Sequence, residues 1–73
     1  MNAELLTGKY QHYKGPMYEV LGVATHSETG DRVVVYRALY GECGLWVRPL
    51  QMFCGSVLVD GKKVPRFKYV GSL

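Results

Sequence analysis

A chain of 73 residues, 48% apolar and 21% charged, describes one small globular domain and excludes a disordered one. A domain of this size buries only roughly 60% of its unfolded surface and leaves little room for a deep, water-excluding active site. Its formal net charge of +3 comes from nine basic and six acidic residues scattered together. That charge reads first as ordinary solubility and second as attraction to an anion such as nucleic acid.

The domain is expected to span residues 1–73, with 1–8 frayed. Glu4-Leu5-Leu6 adds at most a short turn of helix. Lys9 to Lys14 alternates ring and polar side chains, as an edge strand does, and Gly15-Pro16 ends it. Tyr18 to His26 forms the next strand, and Ser27 to Asp31 turns the chain with its bend at Thr29-Gly30. Arg32 to Tyr40, led by three consecutive valines, is the strongest strand. Gly41 to Gly44 turns, and Leu45 to Arg48 returns. Pro49 stops that strand because it lacks a ladder donor. Leu50 to Phe53 suits one turn of 3₁₀ helix. Gly55–Val59 and Lys62–Val64 flank Asp60-Gly61, a strong hairpin signal, since a type I′ turn needs positive φ at both central positions. Arg66 to Val70 is the last strand. The expected fold is mostly β: a small SH3-like barrel of five to six short antiparallel strands with one short 3₁₀ turn.

The segment from Tyr36 to Phe53 holds the single tryptophan and two arginines on either side of a Gly-bounded turn. Centring the hairpins on Thr29-Gly30 and Glu42-Cys43 predicts Val23 opposite Tyr36, Ala38 opposite Val47 and Arg37 opposite Arg48. One face then collects Leu21, Val23, Val34, Tyr36, Ala38, Tyr40, Leu45 and Val47 as the core. The other collects Gly22, Ala24, His26, Val35, Arg37, Leu39, Trp46 and Arg48. A register slip of one residue would invert every face. Like charges directly opposite one another repel, so Arg37 and Arg48 need a shared anion. The structural answer is a carboxylate from Glu19, Glu28 or Glu42, and it is favoured. The functional answer is a ligand phosphate or carboxylate.

Other constellations are weaker. His26-Ser27-Glu28 lacks the Cys-x-x-Cys that a zinc deaminase requires. His12, His26, Cys43 and Cys54 are not paired at zinc-ligand spacing. Lys62, Lys63, Arg66 and Lys68 read as the solvated charges of an edge strand before they read as a phosphate contact. Two cysteines are too few for a disulfide framework. Without a signal pattern or an apolar run near ~20 residues, the expectation is a cytoplasmic chain with free thiols and no membrane association.

Blocks along the chain resemble a known family. They are Lys9–Gly15, Tyr18-Glu19-Val20, His26–Thr29, Val35–Gly41, Gly44–Leu50, Met52-Phe53, Asp60-Gly61 and Pro65-Arg66-Phe67. They look like the bacterial family called domain of unknown function 1653, and they span nearly the whole chain. The resemblance implies a small, mostly β, SH3-like barrel from a bacterial cytoplasm. It supplies no activity, cofactor or catalytic residue, and it places Cys43 and Cys54 at variable positions.

The leading expectation is a binding module rather than an enzyme, with no cofactor. Arg37 and Arg48 would hold an anionic partner such as a nucleotide or single-stranded nucleic acid, with Trp46, Tyr10, Tyr13 or Tyr18 as stacking platforms and His26 beside them. The competing expectation is a protein-interaction module or homo-oligomer using Trp46 or an unpaired edge strand. An enzyme using His12, His26 and Glu28 ranks last.

Overall fold

The computed structural model describes residues 5–72. Seven strands and one helical turn follow in chain order: β1 (Gly8–His12), β2 (Met17–Thr25), β3 (Arg32–Ala38), β4 (Leu45–Pro49), α1 (Leu50–Phe53), β5 (Ser56–Val59), β6 (Lys62–Pro65) and β7 (Phe67–Gly71). They form a five-stranded antiparallel sheet in the order β4-β3-β2-β1-β7 and a separate β5-β6 hairpin. The mostly-β expectation stands. Its details change: among the described residues the strands number seven and no barrel closes, and β1 lies between β2 and β7 rather than at an edge. Of the expected frayed segment, residues 1–4 lie outside the described residues. Leu5 packs against the core, and Leu5 to Thr7 form no helical turn.

Local chemistry sets the turns. At the β5-β6 hairpin Asp60 has φ 52° and Gly61 φ 78°, the pair of positive values that a type I′ turn requires. After Pro49 the chain makes one α turn rather than a 3₁₀ turn, because the Cys54 N–H reaches back to the Leu50 carbonyl at 3.0 Å. That turn delivers Phe53 to the core.

The inner face of the large sheet carries the core: Tyr10, Val20, Val34, Tyr36, Ala38 and Phe67, closed by Phe53. Phe53 and Phe67 stack with centroids 4.0 Å apart and planes within 4°. Each fully buried side chain of this kind contributes about 1.5–3 kcal/mol by leaving water.

Two registers differ from expectation, and the difference rearranges both faces. Between β2 and β3 the pairing runs Val23 with Val34, Gly22 with Val35, then Val20 with Tyr36. Leu21 is the extra residue of a bulge, so Tyr18 and Val20 join Val23 on the inner face. Leu21 itself is exposed, not core. Between β3 and β4, Tyr36 pairs with Trp46, Val34 with Arg48, and Arg37 with Leu45. The loop that closes on the Ala38 N–H to Gly44 carbonyl bond (3.1 Å) has an odd number of residues, with Gly41 and Cys43 at positive φ. An odd loop inverts the face assignment that a two-residue turn would give. Trp46 and Arg48 therefore share the inner face with Tyr36, while Leu45 and Val47 lie outside with Val35 and Arg37. The expected core places of Leu45, Val47 and Tyr40 are corrected: all three are exposed.

Candidate functional site

Arg37 and Arg48 do not meet. They project from opposite faces of the sheet, and each has its own surroundings. Arg37 lies directly opposite Glu19, with Nε 3.2 Å from Oε1. The contact is an ion pair rather than an aligned hydrogen bond. The structural carboxylate thus accounts for Arg37. On the inner face Arg48 meets rings instead. Its Nε–H donates to the Tyr36 hydroxyl at 3.4 Å, and its guanidinium carbon lies 5.6 Å from the Phe67 ring centroid. Among the described residues, no carboxylate stands within ion-pair distance of Arg48.

The register that separates the arginines gathers aromatic side chains around Arg48. Tyr18 on β2 is the hub. Its ring centroid is 5.4 Å from Tyr36, 5.6 Å from Tyr40, 5.7 Å from Phe67 and 6.4 Å from His12. Each contact is edge-to-face, the arrangement that ring quadrupoles favour. The Tyr18 and Tyr40 hydroxyls share a hydrogen bond of 2.9 Å. Trp46 stands across from Tyr36 with 59% of its surface open, and Tyr40 is 52% open. These two rings leave the end of the inner face accessible.

The site is electropositive. Burial and then the neighbouring charges of Arg48, Lys14 and Arg66 hold the His12 imidazole below its ordinary value of 6.5. Its Nδ1 accepts the Lys14 backbone N–H at 3.1 Å. Tyr18 is pushed up to about 12, chiefly by burial and then by the Tyr40 hydrogen bond, with Arg48 opposing. The Arg66 Nε is buried and has no hydrogen-bond partner. Cations and neutral phenols without a matching carboxylate suit an anionic group. The flat rings suit a planar one.

The other anticipated site residues scatter. Tyr10 is 4% exposed, its hydroxyl donating to the Leu6 carbonyl at 2.7 Å, so it is core and not a stacking platform. Tyr13 lies at the margin, its ring 4.6 Å from His12. His26 sits far along β2 in the turn to β3. There its Nδ1 accepts the N–H groups of Glu28 (3.1 Å) and Thr29 (3.3 Å), a turn-stabilising role. Tyr18 and Arg48 do converge on Tyr36 and Phe67, and Trp46 lies on the same face opposite Tyr36. Sequence reasoning missed Tyr36, Tyr40 and Phe67 as members of this cluster and weighed His12 only as a zinc-ligand or catalytic candidate. The Tyr36-x-x-x-Tyr40 spacing was the available signal, hidden by the register assumed for it.

Comparison with known proteins follows the same lines. The sequence profile described as Protein of unknown function (DUF1653) matches residues 8–69. A crystal structure of a DUF1653 protein from Bordetella bronchiseptica is similar, with a TM-score of 0.87 and 39% identity over 94% of this chain and 91% of that one. A search of curated proteins finds no match. The match over most of the chain, joined to the shared fold, shows that this protein belongs to the DUF1653 family, whose function is unknown.

Proposed function

We propose that this domain is a non-enzymatic binding module for an anionic ligand that carries a planar ring, such as a nucleotide or single-stranded nucleic acid. The observation that carries this reading is the setting of Arg48. On the inner face its Nε–H meets the Tyr36 hydroxyl and its guanidinium lies over the Phe67 ring, with no carboxylate beside it among the described residues. Its guanidinium fork suits phosphate or carboxylate, and Trp46 and Tyr40 offer faces for stacking. The exposed free thiols of Cys43 and Cys54 fit a reducing, cytoplasmic setting, and the Bordetella relative fits a bacterial one.

The test is an amide chemical-shift titration against mononucleotides, single-stranded oligonucleotides and extended peptides. Shifts are expected at Tyr18, Tyr40, Trp46 and Arg48 with the anionic ligands. Arg48→Ala should weaken binding about tenfold or more, the loss expected for a charge-assisted hydrogen bond. Arg37→Ala should leave it unchanged. Binding that survives Arg48→Ala, or shifts with neutral peptides alone, would refute the reading.

A further inference from the structure

We propose that the partner is a single strand of several nucleotides rather than a mononucleotide, and that it runs from Arg48 past His12 into the cleft beneath the β5-β6 hairpin. The inference rests on the anionic reading of the Arg48 site and extends it to a second group of cations. That group is set by charge distribution. Residues 55–72 hold four bases, Lys62, Lys63, Arg66 and Lys68, against one acid, Asp60. The other five bases and five acids of the chain cancel, so this stretch carries the whole formal net charge of +3. Among the described residues, no ion pair engages any of its four cations.

The hairpin belongs to neither edge of the large sheet, and a cleft of about 430 Å³ lies between the two. Gln11, His12 and Tyr13 line it from the β1 side, Val59 and Val64 from the hairpin, and Lys68 lines it as well. Lys68 pairs with Gln11 across β7 and β1. Lys62 pairs with Val59 and stands two residues from Val64, so it shares the hairpin face that lines the cleft. Lys63 pairs with Leu58 on the other face. Tyr13 supplies an aromatic surface, 39% exposed, with the Lys14 ammonium 5.8 Å from its ring centroid.

His12 joins this cleft to the Arg48 site. It lines the cleft, and its ring meets Phe67 edge-on at 5.0 Å between centroids. The Arg48 guanidinium carbon lies 5.6 Å from the same Phe67 centroid. The Arg66 carbonyl accepts the Tyr13 N–H at 2.9 Å, so the base of the hairpin is tied to the same corner. A mononucleotide reaches Arg48 and leaves the cleft cations unanswered. A strand brings one phosphate and one planar ring with each nucleotide, which is the pattern that cations interleaved with aromatic rings hold. An acidic peptide answers the charge and not the rings.

Fluorescence titration with thymidine monophosphate and with an oligothymidylate of about eight nucleotides, repeated over a range of salt, tests this. The oligomer should bind more tightly than the monophosphate. Lys62→Gln and Lys68→Gln should each lower the slope of log affinity against log salt by about 0.7 for the oligomer, the contribution of one phosphate contact, and leave monophosphate binding unchanged. Both lysines are exposed, so the far-ultraviolet circular dichroism spectrum should not change. Lys63→Gln removes the same charge from the other hairpin face and should have a smaller effect. An oligomer that binds no more tightly than the monophosphate overturns the proposal and leaves the Arg48 reading standing. Equal losses at Lys62 and Lys63, or equal competition by an oligoglutamate, would mean diffuse attraction of any polyanion and overturn it too. Absence of binding by both probes removes the Arg48 reading with it.

Discussion

Glu19 and Arg37 face each other directly across β2 and β3, with Arg37 Nε 3.2 Å from Glu19 Oε1. Their side chains are 26% and 42% exposed, so solvent screens the pair. A double-mutant cycle by chemical denaturation should give a coupling of less than about 1 kcal/mol, shrinking as salt is added. A larger, salt-insensitive coupling would mean that the pair is shielded from water.

The stack of Phe53 on Phe67 predicts a severe loss on truncation. Phe53 is 1% exposed and its ring also contacts Tyr10 and Tyr36. Phe53→Ala should cost about 3–5 kcal/mol, a large share of the stability of so small a domain. Thermal unfolding should show a lowered midpoint or no folded baseline at all.

Gly8 shows where the backbone allows no side chain. Its φ is 132°, and an added Cβ would lie 2.7 Å from the Gly71 carbonyl oxygen on β7. Gly61, at φ 78°, has open space around it. Gly61→Ala should cost about 1–2 kcal/mol from the left-handed conformation alone. Gly8→Ala should cost more, because the clash is with backbone. Equal losses in urea denaturation would contradict this.

His12 gives the acid-side prediction. Burial and the cations Arg48, Lys14 and Arg66 lower its pKa in the folded chain. The unfolded chain therefore takes up the proton first, and stability should fall as pH drops below 6.5. Arg48→Ala should move the His12 midpoint upward in a ring-proton titration. A bound anion should raise it too, so ligand affinity should grow on acidification.

Tyr18 gives the alkaline one. Its pKa of about 12, against an ordinary 10.0, means that the unfolded chain ionises first. The contribution to stability is intact below pH 10.0 and is lost as pH rises toward 12. Tyr40→Phe removes the hydroxyl partner and should lower the Tyr18 midpoint in an ultraviolet absorbance titration.

Much of the fold was legible where local chemistry decides it. Asp60-Gly61 made its hairpin, Val33-Val34-Val35 made a central strand, and β4 ended at Pro49 where the missing donor said it would. The candidate site was half legible. Tyr18 and Arg48 were named and do converge on Tyr36 and Phe67, Trp46 was named and shares their face, while Arg37, Tyr10 and His26 were named and lie elsewhere. His26 lies in the turn beyond the end of β2 and Tyr10 in the core, whereas the separation of Arg37 from Arg48 has its origin in register. Side chains alternate every residue along a strand, so face membership depends on register parity, which composition does not encode.

By itself, then, the sequence determined the class of the fold, the positions of its turns and the family, because turn conformations and strand preferences are properties of a few adjacent residues. Only the tertiary structure decided which arginine is neutralised and which is open. The bulge at Leu21 and the odd loop closed by Ala38 and Gly44 are chosen by how Val20, Tyr36, Phe53 and Phe67 pack together. That packing sets Arg37 against Glu19 and leaves Arg48 among the rings.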